Sequence, residues 1–197
     1  MMNLISSEKP DWRIQAINFN IMKRFVNLVT LLLIFLPILS GSCNKNENTE
    51  SNPDETVLTA NKKTAVAVVH ASAVGLSEII RMIDPDSLSM TRLIQTYIDS
   101  IRFYDDKSGY FYVYNYQCIN IAHATQQNLV GKNLYDYQDS RQKYVIRALS
   151  STAKTGGGFV EYYWIKPGET GEKLKIGYVE PIRGTNFFIG TGVYITQ

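Results

Sequence analysis

Aromatic residues recur at alternate positions in two runs of the C-terminal half, and cationic residues lie near both runs. Tyr110, Tyr112 and Tyr114 occupy every second position of the first run, and Tyr162 and Trp164 do so in the second. Because alternate side chains of a β-strand share one face, each set would line one surface of a sheet. Aromatic rings exclude water, whereas hydroxyl and indole groups supply directed hydrogen-bond donors. Such a surface suits a small organic anion in a largely apolar pocket.

A buried carboxylate needs a cation as well as hydrogen bonds, because its desolvation otherwise costs more free energy than its contacts return. The cations nearest the aromatic runs in sequence are Arg102, Lys166 and Lys175. Each also has a purely structural interpretation. The two lysines would suit a solvated strand edge, and Arg102 would suit a helix end, where it neutralises carbonyl dipoles. The tyrosines would equally serve packing within the sheet.

Residue patterns typical of catalysis or metal binding are scarce. The chain has two histidines, His70 and His123, and neither has a second ligand at a spacing suited to a metal. The triple glycine at 156–158 precedes a predicted strand, whereas phosphate-binding loops precede a helix. Asp105-Asp106 fits a turn better than a calcium loop, because the downstream ligands are missing. We therefore expect no enzymatic activity, no metal site and no cofactor.

The charge distribution argues against a nucleic-acid partner. The formal net charge of +2 over 197 residues comes from the segment before Cys43, so the remainder carries equal numbers of acidic and basic residues. A neutral domain lacks the clustered positive charge with which proteins bind phosphate backbones. We expect no binding to nucleic acid.

The N-terminal segment has the layout of a secretory signal. Lys23-Arg24 precede an apolar run at 25–39, and small residues at 40–42 lead to Cys43. The run is shorter than the ~20 residues that cross a bilayer. The segment resembles a bacterial lipoprotein signal, in which Cys43 receives a lipid anchor, and an uncleaved membrane anchor is the alternative. Both interpretations place the rest of the chain outside the cytoplasm, in the periplasm or at the cell surface.

This layout predicts four regions. They are an upstream extension at 1–21, a signal peptide at 22–42, a polar tether at 43–54 and a single domain at 55–197. If Cys43 is acylated, Cys118 has no disulfide partner. Its alternation with Asn120 and Ala122 in an apolar strand pattern indicates a buried, unreactive thiol.

Hydrophobic spacing predicts an α+β fold. Apolar residues recur every three or four positions across 55–83 and again across 88–101, which indicates two helices separated by Asp84-Pro85. Beyond a turn at 105–109 the period becomes two, which indicates an antiparallel hairpin over 110–122. The remaining predicted elements are a helix over 140–153, with Tyr144, Val145, Ala148 and Leu149 inward, and strands over 159–166, 173–180 and 186–195. The apolar stripe of the long helix must cover one face of the antiparallel sheet.

Five motifs occur in a characteristic order: Gly109–Tyr114, Ala122-His123, Leu129–Asn133, Gly156–Trp164 and Gly190–Tyr194. The series resembles the single Cache domain, a PAS-like extracytoplasmic sensor module of bacterial receptors, over about 55–194. The resemblance implies a long N-terminal helix packed on a five-stranded PAS-like sheet. It also implies a small molecule, often a short carboxylate, bound between sheet and loops. Ala124 and Ile165 depart from the family pattern, since both positions often hold proline.

The resemblance also places His123 at the histidine of the family motif, as a donor to the ligand or a brace for the next loop. A structural histidine bonded to backbone is the alternative. The predicted ligand-binding residues are Arg102, Tyr110, Tyr112, His123, Tyr162, Trp164, Lys166 and Lys175.

The predicted function is binding of a small organic acid outside the cytoplasm by a domain that a lipid anchors to the membrane. Family receptors continue into a second membrane span and a signalling module, whereas this chain stops at Gln197. We therefore expect the signal to pass to a membrane receptor or through a homodimer. The alternative is a ligand-free interaction module that docks or dimerises through its N-terminal helix.

Overall fold

Two helices open the described part of the chain. The structure is a computed structural model that describes residues 53–83 and 87–195. Helix α1 spans Pro53–Met82 and helix α2 spans Ser87–Asp99. The predicted signal peptide, the lipidation site Cys43 and nearly all of the tether lie outside the described residues.

The long helix α1 buries one stripe and leaves the other side exposed. Its acidic first turn (Asp54 and Glu55) and Arg81 in its last turn complement the helix dipole. Ile83, predicted to continue the stripe, is 40% exposed, because the helix ends at Met82. By length and composition alone, the segment Asp54–Met82, in which an 18-residue window reaches a mean hydropathy of 1.4, would also suit a membrane span. Its buried stripe instead packs on the sheet, as in a core helix; the stripe consists of Ala65, Val69, Ala73, Leu76 and Ile80.

The sheet has five strands in the order β2-β1-β5-β4-β3, and all neighbours are antiparallel. The strands are β1 (Tyr112–Asn115), β2 (Asn120–His123), β3 (Gly158–Ile165), β4 (Glu172–Pro181) and β5 (Phe187–Tyr194). A short 3₁₀ helix (Gln127–Leu129) and helix α3 (Val145–Lys154) lie in the crossover from β2 to β3. The predicted α+β fold, with a long helix before one five-stranded antiparallel sheet, is confirmed.

Helices cover both faces of the sheet. On one face, His70 Nδ1 of α1 lies 3.0 Å from Glu180 Oε2 of β4, and Lys62 Nζ lies 5.0 Å from the centre of the Phe159 ring. On the other face, Ile146 and Leu149 of α3 line a small cavity above the aromatic residues of β1 and β3. This second face carries the candidate site.

Helix α3 begins five residues later than predicted. The Asp139 carboxylate accepts hydrogen bonds from the backbone amides of Arg141 and Lys143, which holds this segment in a loop until Val145. As a result Tyr144, predicted to point inward, is 39% exposed. The predicted inward positions at 145 and 149 are buried, and Ala148 is half-buried.

Cys118 lies in the β1–β2 turn rather than in a strand. Its φ of 66° is left-handed, and Asn115 Oδ1 closes the turn by accepting hydrogen bonds from the amides of Gln117 and Ile119. The thiol is still buried, and burial raises its pKa, so the predicted unreactive character agrees with its surroundings.

Candidate functional site

The sheet brings six of the eight predicted ligand-binding residues together. Tyr112 of β1 pairs with His123 of β2, and Tyr162 of β3 pairs with Lys175 of β4. Cross-strand partners share a face, so these side chains and their alternate neighbours project towards α3. All six are buried: Tyr110, Tyr112, His123, Tyr162, Trp164 and Lys175.

Lys175 is the central cation of this cluster. Its side chain is 0% exposed, and its Nζ has no hydrogen-bond partner. Nζ lies 4.0 Å from the centre of the Tyr110 ring and 4.7 Å from that of Tyr194. The negative faces of the rings attract the ammonium group, but they do not accept hydrogen bonds as a carboxylate does. Burial holds the pKa of Lys175 well below its ordinary value.

Two glycines of β5 make room for this arrangement. A Cβ atom at Gly192 would stand 2.7 Å from Lys175 Cε, and one at Gly190 would stand 2.7 Å from the Tyr112 ring. Any side chain at either position would therefore displace a member of the cluster. This explains in physical terms why the Gly190–Tyr194 motif alternates glycine with larger residues.

His123 presents a neutral imidazole to the cluster. Its Nδ1 accepts hydrogen bonds from the amides of Gln126, at 3.0 Å, and Thr125, at 3.3 Å. The neutral ring therefore carries its proton on Nε2. Burial, followed by the nearby charges of Lys175 and Arg102, lowers the pKa of His123 to about 3. His123 thus braces the loop after β2, and its role as a donor to a ligand stays a prediction.

The tyrosine hydroxyls form two short chains of hydrogen bonds. Tyr162 donates to Tyr112 Oη at 3.2 Å, and Tyr112 donates to the Thr191 carbonyl at 3.3 Å. Tyr194 donates to the Ile165 carbonyl at 2.7 Å, so the Tyr110 hydroxyl is the donor in its 3.1 Å contact with Tyr194. Burial raises the pKa of Tyr110 to about 12, and these tyrosines are neutral at physiological pH.

Trp164 holds the crossover loop over the cluster. Its indole N–H donates to Gln126 Oε1 at 2.8 Å, and the ring packs edge-on against Tyr137 at 5.1 Å. Tyr137 in turn donates to Glu172 on β4. The indole donor is therefore already used, and in this structure Trp164 contributes an apolar wall.

Of the other two predicted residues, Arg102 lies beside the cluster, near enough for its charge to act on His123, and Lys166 lies apart from it. Arg102 donates to the carbonyls of Asp99, at 2.9 Å, and Ala124, at 2.7 Å, and so joins the end of α2 to the loop after β2. Lys166 Nζ lies 3.1 Å from a carboxylate oxygen of Asp106 and 3.1 Å from one of Glu169. Neither residue lines the cavity beneath α3.

The cavity beneath α3 is almost filled by its own side chains. Its volume is about 10 Å³, close to the space that a single water molecule occupies. An acetate-sized guest therefore requires side chains to move. Larger grooves of about 280 and 370 Å³ lie at the surface, both lined by Lys166 and Tyr194. The other charged lining residues are of both signs in the first groove and all acidic in the second.

Two buried polar residues of this face were missed from the sequence. Tyr114 Oη and Asn120 Oδ1 lack hydrogen-bond partners, like Lys175 Nζ. Tyr114 belongs to the same alternating set as Tyr110, and Asn120 pairs with it across β1 and β2. Both residues could have been recognised from the sequence, because each occupies an alternate position of the predicted hairpin. Within residues 53–83 and 87–195, no group of three or more His, Cys, Asp or Glu residues could hold a metal ion.

Residues 50–197 match the family model described as a Cache domain. The chain belongs to the Cache family. Cache domains are extracytoplasmic sensor modules that bind ligands and signal rather than catalyse reactions, so the predicted extracytoplasmic sensing is confirmed at this level. The family assignment covers the whole described part of this Cache domain.

Solved structures of related domains share this fold. The chain is 32% identical to a methyl-accepting chemotaxis protein from Vibrio parahaemolyticus, with a TM-score of 0.60, over 72% of this chain and 93% of that chain. It is 28% identical to the periplasmic sensor domain of a chemotaxis protein, with a TM-score of 0.63, over 71% of this chain and 98% of that chain. A Cache chemosensory domain whose structure concerns carboxylic acid recognition has a TM-score of 0.63 at 22% identity, over 72% of this chain and 98% of that chain.

A longer relative combines such a domain with other regions. The sensor histidine kinase MctS of Rhizobium johnstonii is 27% identical to this Cache domain protein over 168 residues. The match covers 85% of this chain and 36% of the kinase. The chain therefore spans about a third of the length of that relative.

Proposed function

We propose that this Cache domain senses a small organic anion whose carboxylate pairs with Lys175. The observation that carries the proposal is the fully buried Nζ without a hydrogen-bond partner, enclosed by Tyr110 and Tyr194. An unpaired buried amine destabilises a protein, and a scaffold gains nothing from keeping one. A carboxylate would supply the missing charge and acceptor, and His123 Nε2 would donate a second hydrogen bond.

Binding must open the site, because Lys175 is enclosed and the neighbouring cavity, which it does not line, has a volume of only about 10 Å³. The hydrogen bonds that hold the crossover loop over the site include one from Trp164 to Gln126 and one from Tyr137 to Glu172. Both bonds connect the loop to strands that carry the aromatic cluster. A guest that breaks these hydrogen bonds would move the loop. Ligand binding would then change the outer surface of the domain, where a partner can contact it.

Calorimetric titration with short carboxylates tests the proposal. The wild-type domain should bind at least one of acetate, propanoate, butanoate, pyruvate or their hydroxy derivatives, and Lys175→Met should bind none of them. Lys173→Met is the matched control, because that lysine lies on the same strand and its side chain is 47% exposed. Wild-type affinity in Lys175→Met, or no binding to any carboxylate by the wild type, would refute the anion site.

We extend the proposal to the placement of the domain. Lipidation of Cys43 would hold the domain at the membrane, next to a receptor that receives the signal. Metabolic labelling with an alkyne fatty acid should mark the wild-type protein and leave Cys43→Ser unlabelled. Equal labelling of both proteins would contradict lipidation at this residue.

A second candidate function, a ligand-free interaction module, has two supporting observations. The cavity is closed, and α1 carries exposed apolar residues on the side away from the sheet: Val57 (58%), Val74 (49%) and Met82 (79%). If this side binds a second copy, the wild-type domain should be dimeric in light-scattering measurements and Val74→Lys should be monomeric. Carboxylate binding by a monomer would favour the sensor function.

A further inference from the structure

The tyrosines around Lys175 give their hydroxyl protons to oxygen atoms and not to the lysine nitrogen. Tyr110 donates to Tyr194, and Tyr194 and Tyr112 each donate to a backbone carbonyl oxygen. Nζ has no hydrogen-bond partner, and the lysine side chain is fully buried. In its uncharged form this amine would therefore have a free lone pair.

The surroundings of Nζ favour the uncharged amine. The rings of the three tyrosines form an aromatic cage, with their centres 4.0, 4.7 and 5.6 Å from Nζ, and the imidazole of His123 is neutral. No carboxylate in the described part of the chain pairs with this nitrogen. Burial accordingly holds the pKa of the amine well below its ordinary value. A desolvated, uncharged lysine is the form that attacks carbonyl groups.

We propose that Lys175 is a nucleophile that captures a small aldehyde as an imine. Nζ would attack the carbonyl carbon, and one of its protons would move to the carbonyl oxygen, which gives a carbinolamine. The carbon–oxygen bond would then break, and the second N–H proton would leave with the hydroxyl group as water. The step needs no oxidant or reductant, and hydrolysis releases the aldehyde again. The inference goes beyond the anion site, because it uses the uncharged amine and needs no anion.

The enclosure of Nζ selects the class of carbonyl compound. An aldehyde without a charged group needs no counter-ion in the aromatic cage, and its imine is also uncharged, so neither state buries an unpaired charge. Formaldehyde and acetaldehyde require the least displacement of the packed side chains. Space is scarce there, since a Cβ atom at Gly192 would stand only 2.7 Å from Lys175 Cε. The same packing excludes water, which slows hydrolysis of the imine.

Tyr194 separates Nζ from the surface. It pairs with Lys175 across β4 and β5, and its ring centre lies 4.7 Å from Nζ. The same tyrosine lines both surface grooves of about 280 and 370 Å³. If its hydroxyl group releases the Ile165 carbonyl oxygen, rotation of this one side chain would connect Nζ to grooves that admit an aldehyde. Tyr194 is thus the gate to the lysine.

Reductive trapping tests the inference. The wild-type protein is incubated at pH 7 with acetaldehyde and cyanoborohydride, which reduces the imine to an ethylated lysine, and peptide mass spectrometry locates the product. Fewer than about one in a thousand exposed lysine side chains are uncharged at this pH. Lys175 should therefore be ethylated at least about tenfold faster than any exposed lysine. Lys173→Met should keep this fast site, and Lys175→Met should lose it.

The gate provides a second measurement. Tyr194→Phe keeps the ring but loses the hydrogen bond to the Ile165 carbonyl oxygen, so Lys175 should be ethylated several-fold faster than in the wild type. Tyr163→Phe changes another tyrosine of the groove of about 280 Å³ and should keep the wild-type rate. Thermal melting checks that both variants are folded. An unchanged rate in Tyr194→Phe would refute this route of entry.

The outcomes separate the imine from the anion site. Ethylation of Lys175 no faster than that of Lys173 would overturn the imine inference, and carboxylate binding in the calorimetric titration would still support the anion site. Fast ethylation of Lys175 in a protein that binds no carboxylate would refute the anion site and support the imine. Slow ethylation together with no carboxylate binding would refute both.

Discussion

Lys175 Nζ lies 4.0 Å from the centre of the Tyr110 ring, and the whole lysine side chain is buried without a hydrogen-bond partner. The ring offers the nitrogen a favourable electrostatic surface but no acceptor in the hydrogen-bonding sense. The empty domain therefore bears a free-energy cost that an anion would remove. A sensor benefits from such a cost, because the difference between the empty and occupied states is what a partner can detect.

Removing the amine should stabilise the empty domain. Lys175→Met keeps a long, flexible chain among the aromatic rings and eliminates the unsatisfied nitrogen, so we expect the free energy of unfolding to rise by about 1–3 kcal/mol. Urea unfolding followed by circular dichroism measures this difference. Lys173→Met, at an exposed position of the same strand, should change it by less than about 0.5 kcal/mol. A destabilised Lys175→Met variant would show that the amine is satisfied after all.

The stability of the empty domain should increase with pH between the lowered pKa of Lys175 and its ordinary value of 10.5. Burial lowers the pKa of Lys175 in the folded domain well below 10.5, its value in the unfolded chain. At pH values between these two pKa values, the unfolded chain holds a proton on Lys175 that the folded domain does not. Raising the pH through this range therefore increases the free energy of unfolding, by up to about 1.4 kcal/mol per pH unit. The groups that face Nζ are the tyrosines at 110, 112 and 194 and the neutral His123. These tyrosines retain their protons in this range, because burial raises their pKa values.

Denaturant titrations at several pH values check this prediction. Lys175→Met should show a flatter dependence of the unfolding free energy over the same range. A saturating anion that binds at Lys175 should also flatten it, since the ammonium form is then stabilised in the folded state. An unchanged slope in Lys175→Met would assign the dependence to another group.

Mild acid should destabilise the domain through His123. Its pKa is about 3 in the folded state against 6.5 for an unperturbed histidine, so below 6.5 the unfolded chain binds a proton that the folded state excludes. Between pH 7 and pH 5 this group should cost about 2 kcal/mol of stability. His123→Asn keeps an acceptor for the loop amides but does not titrate at this position. Between pH 7 and pH 5, its free energy of unfolding should fall by about 2 kcal/mol less than that of the wild type.

A methyl group at Gly192 should damage the site. The new Cβ would stand 2.7 Å from Lys175 Cε and 2.8 Å from the Ile176 carbonyl oxygen. The end of a side chain can move away from such a contact, but a backbone carbonyl within a sheet cannot. We expect Gly192→Ala to lower the free energy of unfolding by about 1–3 kcal/mol and to weaken carboxylate binding. Gly75→Ala, in α1 with no atom within 4 Å of the added carbon, should instead stabilise by about 0.5–1 kcal/mol. The same change would thus have opposite signs at the two positions.

Local periodicity was enough to predict the order and type of the elements. Tyr110, Tyr112 and Tyr114 share a face because alternate residues of a strand always do, and the helical stripe around Val69 and Leu76 had to meet a sheet. Prediction was weaker where one side chain redirected the backbone. The Asp139 carboxylate binds the two amides that would have begun a helix at Ser140, and this competition is not visible in hydrophobic spacing.

The sequence by itself determined the face on which an aromatic cluster would form and the kinds of cation available to it. Only the tertiary structure decided which cation lies within that cluster. Lys175 lies on β4, an inner strand between β3 and β5, and is therefore enclosed from both sides. Lys166 follows the end of the edge strand β3 and meets two surface carboxylates instead. Burial depends on the neighbours that folding places around a strand, and those neighbours are distant in sequence.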